Sequence, residues 1–283
     1  MSKILPGHLD SIGQLELGKT SHYDELYNPN RLYAISRYEK RLELGLDPEN
    51  LPFVGYDIWN HYEVSWLNPK GKPIVAIAEI SYDCHSPFIV ESKSLKLYFN
   101  SFNFTKFSDV DAVEHTVKSD LETLLKTQVT VQIIPLSQTK PALLKQSFDG
   151  ICLDELEVEC TTYQVNPQIL STESEHVEEV LYSDLLKSNC LITHQPDWAS
   201  VQIQYQGNKI NHENLLRYIV SYRNHSEFHE QCIERIFKDI LQRCHPEQLT
   251  IYGRYTRRGG LDINAYRSTQ AAQQALNIRF IRQ

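Results

Sequence analysis

The sequence predicts an α+β protein made of two tandem units, because one pattern of side chains occurs twice along the chain. Four positions return with similar character after a shift of 120 residues, from 95 to 215. The two sets are Leu95, Tyr98, Ser101 and Phe102, then Leu215, Tyr218, Ser221 and Tyr222. The alternative is chance similarity within one larger domain.

The same shift relates two further stretches in which apolar residues recur every three or four positions. They are Val113, Val117, Leu121 and Leu124, then Ile233, Phe237, Leu241 and Cys244. This spacing puts the apolar side chains on one face of a helix. Both stretches are therefore predicted to be amphipathic helices that bury one stripe.

Alternation of apolar and polar residues predicts the strands, since successive side chains of a strand point to opposite faces. Four runs show it: 74–82, 129–133, 201–205 and 249–251. Each unit then reads strand, connection, strand, helix, strand. A polar and mixed stretch near 136–180 joins the units, and the predicted domains are 1–150 and 151–283.

Composition narrows the class of protein. The chain is 41% hydrophobic and 23% charged, as expected of an ordinary globular protein. No stretch approaches the roughly 20 apolar residues of a membrane span, and the first residues lack the features of a signal peptide, so we expect a cytoplasmic protein. The net charge of −8 disfavours a broad nucleic-acid surface.

Several cofactor and metal motifs are absent from the sequence. The six cysteines form no Cys-x-x-Cys pair, which excludes a zinc ribbon or a thioredoxin motif. No Gly-x-Gly-x-x-Gly occurs, which excludes a Rossmann site. His225 and His229 stand four residues apart, but the pattern His-Glu-x-x-His is missing, so no metal is expected.

Cys190 and Asp197 are the candidates for catalysis. Cys190 precedes a proline-containing loop that leads into the strand predicted at 201–205, and a loop thiol beside a rigid strand is expected to be both exposed and well positioned. Forming a thiolate at neutral pH costs an ordinary cysteine about 2 kcal/mol, which a nearby cation or hydrogen bonds must supply. Asp197 is a candidate proton donor. The alternative is that Cys190 is a small core side chain.

Glu91 and Glu230 are candidates for ligand binding, because a carboxylate accepts two hydrogen bonds in one plane and so suits the paired N–H groups of a guanine-like ring. Each half of the chain keeps a polar cluster that the other lacks, at 91–94 and at 228–230. We therefore expect one composite site assembled from both halves. The alternative is that both glutamates are solvated surface groups.

Arg258 and Gly259 belong to a stretch in which arginines precede paired glycines. Guanidinium groups are bidentate phosphate donors, and glycine lets a ligand approach the backbone closely. The stretch predicts a phosphate contact, with an exposed hairpin rim as the alternative.

Four motifs in order resemble the NADPH-dependent 7-cyano-7-deazaguanine reductase family in its long, two-module form. They are ESKSLKLY at 91–98, SNCLITHQPDW at 188–198, FHEQC at 228–232 and YTRRGGLDIN at 255–264. The resemblance runs from about residue 17 to the C-terminus. It is weakest at 1–16, 83–90 and 136–180.

This resemblance implies tandem tunnelling-fold modules, each an antiparallel sheet with helices on one face, assembled as a homodimer. It also implies an NADPH-dependent reduction of the nitrile of 7-cyano-7-deazaguanine to an aminomethyl group, on the route to the tRNA base queuosine. The expected partners are therefore a small deazapurine and NADPH, without direct contact to nucleic acid or membrane.

The resemblance also implies the roles of individual residues. Cys190 would attack the nitrile carbon to form a covalent thioimide, and Asp197 would protonate the nitrogen. The expected ring contacts are Val90, Glu91, Ser92, His229 and Glu230. The expected NADPH contacts are Ser92, Lys93, Arg258 and Gly259. Leu67 and Ile74 would stand in the first half where the second has Cys190 and Asp197, so the first half is expected to be catalytically silent.

Two other functions remain open at this point. A tunnelling-fold hydrolase or cyclase acting on a purine or pterin would need a zinc site and no nicotinamide. A non-enzymatic binder of deazapurines or tRNA would not oxidise NADPH.

Overall fold

Helices and strands both form in the described residues of the computed structural model, 23–139, 144–271 and 277–283, and the predicted α+β class is confirmed. The chain divides into two units. The first unit holds the described parts of Met1–Glu43 and Trp59–Pro141, with Arg258–Leu261. The second holds the described parts of Leu44–Ile58, Ala142–Arg257 and Asp262–Gln283. The predicted division into 1–150 and 151–283 stays a prediction.

The first unit contains a small strand pair, a larger sheet and three helices. In chain order its elements are β1 (Ala34–Ser36), α1 (Tyr38–Glu43), most of β2 (Val54–Leu67), β3 (Pro73–Asp83), β4 (Phe88–Val90), α2 (Ser92–Asn100), α3 (Val110–Leu125) and β5 (Val129–Pro135). The larger sheet has the order β5–β3–β2, and β1 pairs antiparallel with β4.

The second unit contains a longer sheet and two helices. Its elements are β6 (Ile151–Cys152), β7 (Thr172–Asn189), β8 (Pro196–Ile210), α4 (His212–Val220), α5 (His229–Cys244), β9 (Gln248–Tyr255) and β10 (Leu261–Ser268). The order is β10–β9–β8–β7–β6. Only β6 runs parallel to its neighbour, so the antiparallel prediction is confirmed for the four long strands.

The predicted strands form, but they are longer than the alternation indicated. The runs at 74–82 and 201–205 lie inside β3 and β8. β7 begins at Thr172, so the end of the stretch predicted as a connection is strand. In each unit two helices, α2 and α3 or α4 and α5, lie between the long strands and the strand that follows, rather than the single helix that was predicted.

The repeat is present in both units, with one correction to its register. α2 and α4 are related by the predicted shift of 120, from 92 to 212, whereas α3 and α5 are related by 119, from 110 to 229. The equivalent buried stripes are Val113, Val117, Leu121 and Leu125, and Cys232, Ile236, Ile240 and Cys244. Leu124, which the sequence placed in the stripe, is only half-buried.

A tyrosine–aspartate bond joins the two helices in each unit and supports the duplication. Tyr98 donates to Asp120 at 2.5 Å in the first unit. Tyr218 donates to Asp239 at 2.8 Å in the second. Because the same bond links equivalent helices, chance similarity does not account for the repeat.

In the second unit α5 packs against the sheet at Gly253. A Cβ built there would lie 2.4 Å from Cδ1 of Ile233, so only glycine fits between strand and helix. None of the helices in the described part of the chain combines the length and apolar character that a membrane span needs.

Candidate functional site

Cys190 lies directly after β7, at the start of the short loop that leads to β8. Its amide donates to the carbonyl of Gln195 at 2.8 Å, and its carbonyl accepts from the amide of His194 at 3.0 Å. His194 takes a left-handed backbone conformation with φ 55°, which closes the loop. Cys190 is only 3% exposed, so the expectation of an exposed thiol is wrong, although the residue lies in a loop rather than within a strand or helix.

Asp197 is the second residue of β8 and pairs with Ser188 of β7, so β8 begins before the strand run predicted at 201–205. A strand fixes the direction of this side chain more firmly than a loop would. Asp197 is buried, and its Oδ1 lies 3.6 Å from Nε2 of His229. The structure thus brings a carboxyl and an imidazole together close to the start of the Cys190 loop.

His229 and Glu230 open α5. The His229 ring packs edge-on against Tyr255, with centroids 4.2 Å apart. Burial raises the pKa of Tyr255 well above its usual range, so this tyrosine stays neutral. Glu230 is 2% exposed although it is acidic, so the alternative of a solvated surface group does not hold for it. A buried carboxylate is suited to a ligand that offers N–H groups.

Two backbone hydrogen bonds hold the segment before α5 against the end of β7. The Asn189 amide donates to the carbonyl of His225 at 2.8 Å, and the Glu227 amide donates to the carbonyl of Asn189 at 3.1 Å. Because Cys190 follows Asn189 and His229 follows Glu227 closely, these bonds bring the thiol and the start of α5 to the same end of the sheet.

A second thiol, Cys232, lies one turn into α5 and is fully buried. Burial and the negative charge of Glu227 raise its pKa to about 12, against weaker opposing hydrogen bonds from Tyr255 and Ser188. It therefore remains protonated at neutral pH and cannot act as a nucleophile.

In the first unit Glu91 caps α2, directly after Val90 at the end of β4. Its two carboxylate oxygens accept the amides of Lys93 and Ser94 at 3.0 and 2.6 Å. Burial raises the pKa of Glu91, and those bonds together with the charge of Lys96 oppose the rise. Each oxygen has two lone pairs, so the cap leaves acceptor capacity for a ligand.

The Arg258–Gly259 stretch forms the turn between β9 and β10, as the hairpin alternative predicted. Gly259 and Gly260 have φ of 59° and 78°, which side chains rarely adopt. The side chain of Lys96 lies 3.5 Å from the position of a Cβ at Gly259. Lys96 was missed in the sequence, where its place in α2 gave no sign of this turn.

Lys96 also acts on His61, a second residue that the sequence did not single out. Burial and the positive charge of Lys96 lower the pKa of His61 to about 4, and its bond to the backbone of Gly260 opposes the shift only in part. His61 is therefore neutral, and Lys93, Lys96 and Arg258 carry the positive charge of this region. Two lysines, an arginine and a glycine turn in one unit are residue types suited to a ligand that carries phosphate groups.

The two histidines considered as metal ligands both face carboxylates. Nε2 of His225 lies 2.8 Å from Glu227, and Nε2 of His229 faces Asp197. The described residues hold one group of three potential ligands, Asp83, Cys84 and His85 in the turn before β4, where His85 already bonds Asp83 at 2.8 Å.

An α+β fold that carries a loop thiol beside a carboxyl–imidazole pair is typical of an enzyme that works through a cysteine nucleophile. Two family models match the chain. The model described as nitrile reductase, 7-cyano-7-deazaguanine-reductase N-term, matches residues 23–133, and that of the QueF-like protein matches 196–274.

Curated relatives cover nearly the whole chain. An NADPH-dependent 7-cyano-7-deazaguanine reductase of Legionella pneumophila (strain Lens) is 63% identical over 271 residues, 95% of each chain. Enzymes of the same name from Dechloromonas aromatica and Delftia acidovorans are 54% and 48% identical, over 94% and 95% of this chain and 94% and 98% of theirs. The chain belongs to the NADPH-dependent 7-cyano-7-deazaguanine reductase family.

Proposed function

We propose that this protein reduces the nitrile of 7-cyano-7-deazaguanine to the aminomethyl group with two NADPH and two protons, in queuosine biosynthesis. The observation that carries the proposal is the meeting of Cys190, Asp197 and His229 at one end of the second unit, in a chain of this family. Neither a resident metal nor a nucleic-acid surface is needed for this reaction.

Cys190 begins the reaction by adding its sulfur to the nitrile carbon. The C–S bond forms as one C≡N π bond breaks, and Asp197 donates a proton to the nitrogen to give a thioimide. When bound, NADPH would supply one hydride to that carbon in each of two stages. Between the two stages the C–S bond breaks and the Cys190 thiolate leaves, which regenerates the free sulfur. We infer that Asp197, held in a strand with its Oδ1 3.6 Å from Nε2 of His229, supplies the protons that the nitrogen takes up.

The ring contacts that we propose are Glu230 and His229 in the second unit, and Val90, Glu91 and Ser92 in the first. Buried carboxylates at Glu91 and Glu230 support this assignment, because each can accept from the paired N–H groups of a guanine-like ring. The N-cap bonds of Glu91 fix the direction of its carboxylate before a ligand arrives.

The cofactor contacts that we propose are Ser92, Lys93, Arg258 and Gly259, supported by the cationic surroundings of the glycine turn. From the family resemblance we also propose a homodimer, working in the cytoplasm and without bound nucleic acid. Light scattering of the purified protein measures the assembly, and a monomeric mass would contradict it.

Mass spectrometry of the intact protein tests the covalent step. With 7-cyano-7-deazaguanine and no NADPH, we expect one substrate mass added to the wild-type chain and none added to Cys190→Ala. Cys160→Ala is the matched control, since this half-buried thiol lies outside the site and its loss should leave the adduct unchanged. An adduct on Cys190→Ala would refute the role of this cysteine.

A further inference from the structure

Glu227 is a fully buried carboxylate that the proposed reaction does not use. It accepts two hydrogen bonds from Arg235, at 3.0 Å from Nε and 2.6 Å from Nη2, and lies 2.8 Å from Nε2 of His225. Burial disfavours its charge, yet the bonds from His225 and Arg235 hold the pKa of Glu227 well below its usual range. Glu227 is therefore ionised at neutral pH and is bound to α5 through the side chain of Arg235.

This anion is attached to the chain segment that carries the thiol. The Glu227 amide donates to the carbonyl of Asn189, and Cys190 is the next residue. Arg235 lies about two turns into α5, the helix that begins with His229. The Glu227–Arg235 pair therefore connects the position of Cys190 to that of His229 through a single rigid unit.

The first unit builds the same backbone arrangement without the ion pair. There Leu67 ends β2, its amide donates to Thr105, and its carbonyl accepts from the amide of Phe107 at 2.9 Å. Phe107 thus occupies the position of Glu227, and its ring packs on Phe102 at 5.1 Å. By the shift of α3 onto α5, Thr116 stands where the second unit has Arg235.

The fold consequently does not require a buried charge at this position. Taking a carboxylate and a guanidinium out of water costs free energy, and an apolar pair of similar size is often as stable. The Glu227–Arg235 pair occurs in the second unit, which also has Cys190 and Asp197. In the first unit, which has neither a thiol nor an acid at the equivalent positions, Phe107 stands in the place of Glu227.

We propose that Glu227, paired with Arg235, is a positioning residue that fixes the Cys190 thiol relative to His229 for attack on the nitrile. The proposal rests on the function proposed above. Reacting atoms must be held close to their attack geometry, and a displacement of about 1 Å can cost on the order of a hundredfold in rate.

Glu227→Gln tests the proposal. A glutamine at this site sets an N–H group against the donors of Arg235 or His225, which loosens the connection without changing the size of the side chain. We expect the rate of thioimide formation, followed by quenched-flow mass spectrometry with 7-cyano-7-deazaguanine, to fall at least about tenfold. We expect ring affinity, measured by calorimetry in a Cys190→Ala background, to change less than about threefold, because the contacts of Glu230 remain.

Glu234→Gln is the matched control. Glu234 is also buried on α5 and pairs with an arginine, Arg267, at 2.9 Å, but it lies inside the helix, whereas the amide that bonds the carbonyl of Asn189 belongs to Glu227. We expect a comparable loss of thermal stability and an adduct rate within about threefold of wild type. Equal rate losses in both variants, or an unchanged rate in folded Glu227→Gln, would overturn the proposal.

Arg235→Lys provides a milder change if Glu227→Gln does not fold. Lysine keeps the charge but loses the paired geometry of the guanidinium. An intermediate fall in adduct rate is expected, and a wild-type rate would count against positioning. Failure of the wild-type protein to form any adduct would instead refute the function itself, so the two failures are distinguishable.

Discussion

Cys190 and Asn68 occupy the same place in the two units. Each follows the last residue of a long strand, and each donates its amide across the hairpin, to Gln195 and to Lys72. The predicted counterpart of Cys190, Leu67, is therefore wrong by one residue, because Leu67 is equivalent to Asn189. An amide side chain cannot replace a thiolate in nucleophilic addition, which agrees with the expectation of a silent first half.

At the residue scale, the role of Asp197 as a proton donor can be tested separately from ring binding. Asp197→Asn keeps the shape of the side chain but cannot supply a proton, so we expect turnover to fall at least about a hundredfold while ring affinity is retained. NADPH oxidation followed by absorbance measures turnover, and calorimetry measures ring affinity. Loss of ring binding would make Asp197 a structural residue instead.

The charge of Glu227 predicts a pH dependence of stability. Its folded pKa lies below the ordinary value of 4.5, so its stabilising effect is complete above that value and declines as the pH falls toward the folded pKa. The difference in unfolding free energy between wild type and Glu227→Gln should therefore be largest and constant above about pH 4.5, and should shrink steadily as the pH falls below that value. Urea titrations at several pH values measure this. The exposed Glu175→Gln is the control, and a difference that stays constant at all pH values would contradict the prediction.

At the scale of the elements, the two equivalent helices end in the same way. Lys126 after α3 and His245 after α5 both adopt left-handed conformations, with φ of 53° and 49°. In each case the amide of this residue bonds the carbonyl four residues earlier, at Glu122 and Leu241. The ends of both helices are thus set by a backbone conformation that the residue type does not favour.

His245→Gly should relieve this strain. Glycine adopts the left-handed conformation at no steric cost, so we expect a gain of up to about 1 kcal/mol in unfolding free energy. His245→Ala is the control and should give no gain, since alanine keeps the Cβ. Urea denaturation measures the unfolding free energy of both variants. Destabilisation by glycine would show that the His245 side chain stabilises the fold by more than its left-handed conformation costs.

At the scale of the whole molecule, the net charge is negative, whereas NADPH carries negative phosphates that favour positive surroundings. The chain carries −8 overall, from 28 basic and 36 acidic residues, and would repel the cofactor phosphates. Lys93, Lys96 and Arg258 place local positive charge in the first unit, whereas Cys190 and Asp197 lie in the second. On the proposed assignment of residues, the cofactor contacts Lys93 and Arg258 belong to one unit and the residues of the covalent step belong to the other.

This division predicts that Lys93→Met impairs one step and leaves the other. Removing the cation should raise the KM for NADPH about tenfold, whereas thioimide formation, which precedes hydride transfer, should keep its wild-type rate. Steady-state kinetics and the adduct assay measure the two effects. Glu175→Gln again serves as a surface control. A slower adduct step in Lys93→Met would show that Lys93 also acts on the nitrile.

The sequence by itself determined the α+β class, the repeat, both amphipathic helices and the residues at which catalysis is proposed. These features are local: helical spacing, strand alternation and motifs depend on neighbours in the chain, and each can be read within a short window. Even so, the window could not distinguish Leu124 from Leu125 as the last buried residue of α3, since both are apolar.

Tertiary structure decided which residues of distant segments pair, make contact or occupy equivalent positions. The pairing of Asp197 with Ser188, the contact of Lys96 with the Gly259 turn, and the equivalence of Asn68 to Cys190 depend on strand register and hairpin hydrogen bonds. Glu227 looked like any polar loop residue until the fold buried it beside Arg235. Burial and register arise from the whole chain, because the free energy of a charge depends on everything packed around it.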